Sequence, residues 1–407
     1  MRSKSDKKKP LVPSLRFPEF REAGAWEVKR LGEVANISMG ASPKSASYND
    51  QRIGLPLIQG NADIKDRKSS PRLFASQITR ECWVGDILVG VRAPVGMVAK
   101  SEHHACIGRG ISALCVKGED RQEFLYQWLL WYEPHWVSIS QGGTFDSVNK
   151  NEITNLVALF PNPSEQQKVA HCLSSLDEVI GLQAKKVQAL KQHKKGLMQQ
   201  LFPAEGETTP RLRFPDFREA GAWEVKRLGE IFQERTERDS SSLELLSVTM
   251  SEGVVKTSQL DRKNNASSDL SNYKNVYPND IVYNSMRMWQ GASGVSQWQG
   301  IVSPAYTVVT PISTQKPFFW AYCFKHTENI EKFSRYSQGV TSDTWSLKFP
   351  AFSSIKIPVP TKADEQQKIA HCLSSLDEVI GLESHKLDAL KNLKKGLMQQ
   401  LFPQDVA

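Results

Sequence analysis

The feature that most constrains this chain is an internal duplication. A long repeat covers residues 165–203 and recurs, with substitutions, as residues 365–403. A short repeat covers residues 13–34 and recurs as residues 210–231, with three differences in 22 positions. Segments that repeat at a fixed interval mark copies of one structural module. The chain is therefore two copies of the same module, joined in tandem.

Each long repeat predicts one helix with coiled-coil character. Its apolar residues recur at spacings of three and four, which is typical of a helix that pairs along a seam. Each helix also has two polar seam positions, Gln183 and Lys194 in the first and Glu383 and Lys394 in the second. The predicted seam positions are Leu173, Leu176, Ile180, Gln183, Val187, Leu190, Lys194, Leu197 and Leu201, and in the second helix Leu373, Leu376, Ile380, Glu383, Leu387, Leu390, Lys394, Leu397 and Leu401.

The polar seam residues indicate how the two helices pair. A parallel pair would oppose Lys194 and Lys394, and like charges in a desolvated seam are destabilising. An antiparallel register in which partner numbers sum to 577 sets Lys194 beside Glu383 and Gln183 beside Lys394. We therefore predict an intramolecular antiparallel helix pair with a pseudo-two-fold axis and with the two globular domains at its opposite ends.

Composition limits the class of protein. The net charge of +8 and the isoelectric point near 9.0 are compatible with nucleic-acid binding but do not establish it. The six cysteines include no Cys-x-x-Cys pair, so we expect a reduced protein without a zinc site. No apolar run is long enough to span a membrane, and the basic N-terminus has no apolar signal region behind it. We expect a cytoplasmic protein with no membrane contact.

Motifs for catalysis are absent or weak. The sequence has no GxxxxGK[ST], GxGxxG or HExxH pattern, so we expect no catalytic residue and no metal ligand on this chain. One pattern, Asp216 followed by Glu224 and Lys226, mimics the acids and lysine of a metal-dependent nuclease. The first copy has Glu19 in place of Asp216, and the gap between the two acids is too short for an intervening strand. Nuclease activity is therefore a minor alternative.

The segments between the long repeats predict two mixed domains. Short apolar runs alternate with turn residues, and residues 124–137 and 317–333 each indicate one helix. The predicted fold class is α+β, with two mixed α/β domains separated by two long antiparallel helices. The predicted division is a disordered basic arm over 1–12, an N-terminal domain over 13–163, a helix over 164–203, a C-terminal domain over 204–363, a helix over 364–403 and a tail over 404–407.

The candidate nucleic-acid contacts lie in loops of these domains. Arg92 and Arg287 follow strands in glycine-flanked loops, where an arginine can bond a guanine edge with two hydrogen bonds. Asn284 and Gln290 can pair with adenine in a similar way. The alternative for each arginine is a solvated side chain or an ion pair with a nearby carboxylate. The full predicted set is Lys44, Arg67, Arg92, Arg109, Gln141, Thr144, Lys256, Asn284, Arg287, Trp289, Gln290, Arg335 and Gln338.

With this architecture, the sequence closely resembles the specificity (S) subunit of type I restriction-modification enzymes, the HsdS family. The resemblance covers nearly the whole chain. The motifs that carry it are LRFPEF and WEVKRLGEV in the short repeat, GDILVGVRAPVG and NDIVYNSMRMWQGASGVS in the two domains, and EQQK and KKGLMQQLF at the ends of the long repeat.

The resemblance implies a function in DNA recognition. Each domain would be a target recognition domain that binds one half of a split site in double-stranded DNA. The helix pair would set the distance between the halves and dock two methyltransferase (M) subunits, to which restriction (R) subunits can add. The chain would not be an enzyme by itself: S-adenosylmethionine, ATP and Mg would act on partner subunits, with no cofactor here. A helical scaffold without DNA specificity and a stand-alone nuclease remain the alternatives.

Overall fold

The computed structural model describes residues 11–136, 147–238, 242–260, 269–312, 314–341 and 344–403. The chain forms two compact units. The N-terminal unit combines residues 1–184 with residues 385–407, and the C-terminal unit comprises residues 185–384. Each unit therefore contains one globular domain, the first part of the long helix that follows this domain, and the last part of the other long helix.

The described part of the N-terminal unit has short strands and four helices, of which the last continues into the C-terminal unit. The strands are β1 Glu27–Arg30, β2 Ala35–Met39, β3 Tyr48–Asn49, β4 Leu55–Ile58, β5 Ile64–Lys65, β6 Lys68–Ser69, β7 Leu73–Ala75, β8 Glu81–Cys82, β9 Ile87–Gly90, β10 Val98–Lys100, β11 Ala105–Ile107, β12 Ile111–Val116 and β13 Val157–Phe160. The helices are α1 Leu31–Val34, α2 Gln122–Tyr132, α3 Lys150–Asn155 and α4 Pro163–Leu201.

These strands form two mixed sheets and one antiparallel pair. The first sheet has the order β2-β12-β9-β10-β6-β5, the second has the order β3-β7-β4-β11-β8, and β1 pairs with β13. Strand β9 lies between β12 and β10, and it is buried at all four positions because Ile87 and Val89 pack in one hydrophobic core while Leu88 packs in another. Each sheet holds one parallel pair, β10 with β6 and β11 with β4, among antiparallel neighbours. This mixture confirms the predicted α+β class.

The C-terminal unit repeats the plan with a smaller main sheet of the order β15-β22-β19-β20. Three further antiparallel pairs join β14 with β23, β16 with β17, and β18 with β21. The strands are β14 Glu224–Arg227, β15 Phe232–Glu234, β16 Leu246–Thr249, β17 Gly253–Lys256, β18 Lys274–Val276, β19 Ile281–Asn284, β20 Ser293–Val295, β21 Gly300–Val302, β22 Tyr306–Pro311 and β23 Lys356–Val359. The helices are α5 Pro317–Cys323, α6 Thr327–Tyr336, α7 Phe349–Ser354 and α8 Ala363–Leu401.

The helix predicted over 317–333 is two helices in the structure, so that prediction is wrong. Helix α5 ends at Cys323, whose carbonyl oxygen accepts a hydrogen bond of 2.8 Å from the side-chain amide of Asn329. Asn329 is buried, and its amide satisfies a carbonyl at the end of the helix that has no further helical partner. His326 adopts an extended backbone conformation and starts α6. The matching helix α2 of the N-terminal unit is continuous.

A buried ion pair attaches the short repeat to the start of α4. Glu165 accepts hydrogen bonds from Nε and Nη2 of Arg16 at 2.8 and 2.7 Å, and from Nε1 of Trp26 at 3.2 Å. Its side chain is 1% exposed. We call this three-residue cluster the N-terminal anchor. It uses residues that both copies of the repeat contain, although the sequence reading did not single them out.

The C-terminal anchor has the same geometry at the start of α8. Glu365 accepts hydrogen bonds from Nε and Nη2 of Arg213, both at 2.7 Å, and from Nε1 of Trp223 at 3.2 Å. A buried pair of this kind is stable only when its remaining hydrogen-bonding groups are satisfied. The backbone oxygen of Gly221 meets this need by accepting from Nη1 of Arg213.

The residue after each anchor glutamate caps a helix of the globular domain. The side-chain oxygen of Gln166 accepts the backbone N–H of Arg121 at 2.8 Å, directly before α2. The side-chain oxygen of Gln366 accepts the backbone N–H of Lys316 at 3.1 Å, directly before α5. Free N–H groups at a helix start need such acceptors. The EQQ segment of the long repeat therefore binds the domain at two adjacent points.

The residues predicted to form the seam lie on the less exposed face of each long helix. All 18 positions are buried or half-buried, whereas Leu182 and Leu382 on another face are 68% and 70% exposed. In the N-terminal unit, Leu173 packs in the core with Met398 and Leu401, while further along α4 Asp177 bonds Lys394. The two segments therefore run antiparallel.

The predicted register of the seam is wrong. Lys194 donates to Asp377, where the predicted register placed Glu383, and Lys394 donates to Asp177. In both pairs the residue numbers sum to 571 rather than 577. Since each aspartate directly follows a seam residue, the register of the seam positions themselves sums to 570, one heptad below 577. Apolar matching cannot distinguish registers that differ by one heptad, because the seam pattern repeats every seven residues. The aspartates lie next to the seam, so a reading restricted to seam positions misses them.

The predicted boundaries differ slightly from the observed ones. Residues 1–10 of the predicted arm lie outside the described residues, but Leu11 packs against the core and its carbonyl oxygen accepts the N–H of Trp26 at 2.8 Å. The arm predicted over 1–12 therefore extends too far. Helix α4 starts at Pro163, and the side chain of Asn162 caps it by accepting the N–H of Glu165 at 3.0 Å. Of the helices described, none combines the length and apolar character needed to cross a membrane.

Candidate nucleic-acid interface

The loops that follow β9 and β19 start from the same local structure in both units. Asp86 accepts the backbone N–H of Trp83 at 2.7 Å, and Asp280 accepts that of Tyr277 at 2.8 Å. Each aspartate thus closes a turn directly before its strand. Asp280 also binds Arg235 at 2.8 Å, and this hydrogen bond raises the pKa of the Arg235 guanidinium above its ordinary value.

In the N-terminal unit, this loop forms one wall of an open polar cleft of about 530 Å³. The N–H of Val91 donates to the oxygen of Gly110 at 2.9 Å, so the neighbouring residues Arg92 and Arg109 lie on adjacent chain segments. Both arginines are exposed, and neither has a carboxylate partner among the residues the structure describes. The lining residues are Ser42, Pro43, Ser45, Tyr48, Gln59, Gly60, Asn61, Arg92, Ala93, Arg109 and Gly110.

The cleft combines the groups that recognise nucleic acid. A guanidinium group can bind a phosphate or form paired hydrogen bonds with a guanine edge, and an amide such as that of Gln59 can pair with adenine. Among the described lining residues there is no carboxylate to neutralise the arginines. Sequence reasoning named Arg92 and Arg109 but missed Gln59 and Asn61. A signal for them exists, because both lie in the polar turn directly after the apolar run of β4.

In the C-terminal unit, the corresponding loop forms a compact turn, and its first residues line a separate cleft of about 380 Å³ that does not include Arg287. Asn284 accepts the N–H of Met286 at 3.0 Å, and Nε1 of Trp289 donates to the carbonyl oxygen of Met286 at 3.0 Å. These bonds hold Arg287 between them at the surface, where it has no ion-pair partner in the described part of the chain. Gln290 is half-buried at the end of the turn. The turn therefore presents Arg287 outward on a rigid support.

A second segment packs against each of these loops. In the N-terminal unit, the N–H of Val148 donates to the oxygen of Val91 at 3.0 Å. In the C-terminal unit, the rings of Trp345 and Trp289 meet edge to face at 5.4 Å. The segment before Trp345 carries Gln338, which is exposed. Its N-terminal counterpart contains Gln141 and Thr144, which lie outside the described residues.

Matching glycines allow both loops to turn. Gly96 and Gly291 have φ values of +88° and +84°, a left-handed conformation that side chains with a Cβ rarely adopt. A Cβ on Gly96 would lie 2.2 Å from the ring of Trp136, whereas one on Gly291 would lie 3.1 Å from the methyl end of Ile330. The two positions therefore share a backbone requirement but differ in available space.

Three of the predicted DNA contacts are engaged in ion pairs within their own unit. Arg67 bonds Glu133 at 2.7 Å. Lys256 bonds Glu244 at 2.8 Å, and in the same unit Arg335 bonds both Glu205 at 2.9 Å and Glu331 at 3.3 Å. These partners favour the structural interpretation that the sequence left open for such residues. Lys44 is exposed directly before a 3-10 turn, at the edge of the N-terminal cleft.

The residues of the nuclease-like pattern do not form a metal site. Asp216 is paired with Lys368, and Glu224 is paired with Lys226 at 2.9 Å. Among the described residues, the one group of carboxylates close enough to share a cation contains neither Asp216 nor Glu224. The spacing that suggested a nuclease therefore reflects two separate surface ion pairs.

A family model for the type I restriction modification DNA specificity domain matches residues 24–192 and 221–392 of this chain. The two matched segments correspond to the two modules of the duplication, and each ends within a long helix. The match covers more than half of the sequence.

The chain is also similar to specificity subunits of Methanocaldococcus jannaschii. One, assigned as that of the type I restriction enzyme MjaX, is 31% identical over 44% of this chain and 42% of that protein. The MjaIX specificity subunit is 25% identical over 51% of this chain and 52% of that protein, and the MjaVIII specificity subunit is 24% identical over 95% and 93%. The chain thus spans about half the length of the first two relatives and nearly all of the third.

Two solved structures have the same fold. The S subunit of a type I restriction-modification system from M. genitalium matches with a TM-score of 0.63 and 16% identity, over 97% of this chain and 100% of that chain. A chain from a study of complex assembly and conformational transition of the type I R-M system matches with a TM-score of 0.54 and 17% identity, over 94% and 98%.

Proposed function

The chain belongs to the family of type I restriction modification DNA specificity domain proteins, and from that premise we propose that it selects the DNA sequence on which a type I restriction-modification complex acts. Each globular domain binds one half of a split site in double-stranded DNA. The helix pair sets the separation of the halves. The chain itself carries no catalytic residue and no cofactor in this proposal.

The observation that carries the proposal is the cleft with Arg92 and Arg109. It is open and polar, and it is lined by amide side chains and by two arginines that have no carboxylate partner among the described residues, as direct readout of a base edge requires. In the C-terminal unit, Arg287 occupies the loop that follows the matching strand. The two domains share a frame but present different side chains, which suits two half-sites of different sequence.

The energetics of such binding follow from charge and linkage. Lysines and arginines on phosphates supply affinity that depends on salt and not on sequence. Each good base contact adds about 1 to 3 kcal/mol of discrimination. Two domains on one frame bind the second half-site intramolecularly, so a site with both halves at the right distance is strongly favoured. The helices, 39 residues each, are about 58 Å long at 1.5 Å per residue and can serve as the spacer.

The proposed partners are two methyltransferase subunits on the helix pair and, through them, restriction subunits. Adenine methylation requires the base to be flipped into a catalytic pocket, which this proposal assigns to the methyltransferase. S-adenosylmethionine, ATP and Mg belong to those partner subunits in the same proposal.

The test is sequencing of methylated adenines in DNA from cells that express this chain with its cognate methyltransferase subunit. Cells with the methyltransferase alone are the control. We expect a motif of two short defined halves around a fixed gap, present only with this chain. If the complex assembles and no new motif appears, the scaffold alternative replaces this proposal.

A further inference from the structure

In each unit, a seam lysine of one long helix forms an ion pair with an aspartate of the other long helix. In the N-terminal unit, Nζ of Lys394 bonds both carboxylate oxygens of Asp177 at 2.6 and 2.7 Å. In the C-terminal unit, Nζ of Lys194 bonds both oxygens of Asp377 at 2.6 Å. All four residues are identical between the two copies of the long repeat.

The same carboxylates accept a hydrogen bond from the globular domain. Nε2 of Gln127 on α2 donates to Asp177 at 2.9 Å, and the hydroxyl of Tyr322 on α5 donates to Asp377 at 2.8 Å. Each donor lies six residues after the residue whose N–H is capped by the EQQ segment. Gln127 and Tyr322 therefore occupy the same position of the domain, although they differ chemically. Each aspartate is a three-way junction of its own helix, the opposite helix and the domain.

The junctions are partly withdrawn from water. The Lys394 and Lys194 side chains are 11% and 21% exposed, and the aspartates are 40% and 44% exposed. A polar group in an apolar seam is best known for fixing register, because other registers leave it without a partner. The apolar seam alone does not distinguish registers one heptad apart. The lysine–aspartate pairs remove this ambiguity.

The C-terminal junction has an additional contact. Nζ of Lys194 lies 4.9 Å from the ring centroid of Tyr322, a cation–π arrangement, and the partly buried hydroxyl of Tyr322 has a pKa raised by desolvation and by its bond to Asp377. In the N-terminal unit, the side-chain oxygen of Gln127 is buried and has no hydrogen-bond partner in the described residues. Because the hydroxyl of Tyr322 makes the hydrogen bond and its ring makes the cation–π contact, Tyr322→Phe removes the hydrogen bond and keeps the ring.

We propose that Asp177 with Lys394, and Asp377 with Lys194, are positioning residues that determine which half-site spacing the complex accepts. They act by fixing the register of the helices and the position of each domain on its helix segments. They do not contact DNA in this proposal. The inference rests on the proposed function, because it assigns these residues a part in measuring the split site.

The experiment uses the full chain co-expressed with its cognate methyltransferase subunit. Target plasmids carry the two half-sites at the native separation or at separations one and two base pairs shorter or longer, and adenine methylation is sequenced. The test variant is Lys194→Gln with Lys394→Gln. The matched control is Lys195→Gln with Lys395→Gln, which changes the adjacent exposed lysines in the same way.

We expect the test variant to lose its preference for the native separation by about tenfold or more, because a charge-assisted hydrogen bond contributes about that factor and the variant changes one such contact in each unit. The bases read in each half should stay the same, and the control should keep the native preference. Tyr322→Phe should cause a smaller loss, roughly threefold, because it removes one neutral donor and keeps the ring. Charge reversal by Lys194→Asp with Asp377→Lys should restore the preference that either change alone reduces.

Two results would overturn the inference. One is an unchanged spacing profile in variants that methylate normally. The other is an equal loss of methylation at every separation, which would assign the junctions a role in stability alone. A wild-type chain that directs no methylation to a split site would instead overturn the proposed function.

Discussion

The two units hold their long helices in the same way but differ at the loops where DNA contacts are expected. The N-terminal and C-terminal anchors bond Arg16 to Glu165 and Arg213 to Glu365 at 2.7 Å with the same atoms. The loops after β9 and β19, in contrast, form an arginine-lined cleft in one unit and a tryptophan-supported turn in the other. A repeated frame thus supports loops that do not repeat, and differences in specificity are expected in the loops.

The largest expected effect comes from removing the buried carboxylate of either anchor. Glu365→Ala leaves the guanidinium of Arg213 and the indole N–H of Trp223 without this acceptor. Removing one partner of a buried ion pair costs about 3 to 5 kcal/mol of unfolding free energy. Glu165→Ala should cost a similar amount, since its contacts are the same. Urea unfolding, with hydrogen exchange resolved for each unit, measures both losses.

The matched control for the anchors is Lys168→Gln. Lys168, which lies on the same helix as Glu165, forms an exposed ion pair with Glu19 of the short repeat at 3.0 Å, and exposed pairs contribute little to stability. We expect no measurable change from this control. A loss below about 1 kcal/mol for either glutamate variant would mean that the anchors behave like surface pairs, and the common frame would need another explanation.

The matching glycines give the second largest expected effect and separate backbone strain from crowding. Alanine at Gly96 or Gly291 should cost about 1 to 2 kcal/mol for the left-handed backbone. Gly96→Ala should cost about 1 to 3 kcal/mol more, because its Cβ would lie 2.2 Å from the rigid, buried ring of Trp136. The flexible end of Ile330 can move away from a Cβ at position 291. Equal losses of unfolding free energy for the two variants would contradict this difference.

Much of the frame could be predicted from the sequence. The duplication and the heptad spacing identify two modules and the seam, because periodicity depends on local geometry alone. The register could not be predicted. Asp177 and Asp377 lie beside the seam and reach Lys394 and Lys194 only through the flexible lysine stems, which spacing does not represent.

The interface was predictable only in part. Arg92 was predicted as an arginine in a glycine-flanked loop and Arg109 as a member of the same set of contacts, and the structure brings them to one cleft. Arg67 was also a member of this set, yet it bonds Glu133, which is 66 residues away in sequence. Contacts between distant segments decide whether a loop arginine is available to a ligand. They depend on the tertiary fold and have no local signal.

The third comparison concerns the aromatic residue that directly follows each long helix. Phe402 packs on Trp131 with ring centroids 5.6 Å apart, while Phe202 stacks on His326 at 5.3 Å. Burial, and secondarily the charge of Lys332, lowers the pKa of His326 to about 4, against an ordinary value of 6.5. Between these values the unfolded chain binds a proton that the folded chain excludes. Folding stability from this residue is therefore present above pH 6.5 and is lost as the pH falls towards 4.

The expected size is about 2 kcal/mol of unfolding free energy lost between pH 7 and pH 5. The C-terminal unit should lose this stability. The N-terminal unit has Trp131, which does not titrate, in the corresponding contact, so we expect no loss there from this contact. His326→Phe should remove the difference by leaving no group to titrate. Denaturant unfolding of the His326→Phe variant and of the unmodified chain at pH 7 and pH 5 measures this difference in unfolding free energy. An identical pH dependence for the variant and the unmodified chain would contradict the assignment.

The last prediction concerns base selection rather than stability, and it separates the two proposed recognition surfaces. Arg92→Ala should relax base selection in one half of the methylated motif, and Arg287→Ala should relax it in the other half. Loss of one bidentate base contact corresponds to about 1 to 3 kcal/mol, or roughly 5- to 150-fold in discrimination. The controls are Arg67→Ala and Arg335→Ala, which remove arginines of the same two units that already have carboxylate partners. Sequencing of methylated adenines reports both halves in one experiment.

The pattern in which base selection is lost in these variants shows which unit reads which half-site. If each variant relaxes a different half, the two loops read separate half-sites and the shared frame serves only to present them. If Arg92→Ala and Arg287→Ala weaken methylation equally at all sequences, these arginines bind phosphate, and base readout must come from other side chains such as Gln59. Relaxation of the same half by both variants would contradict a one-domain, one-half-site arrangement. The duplicated frame would then support a single composite reading surface.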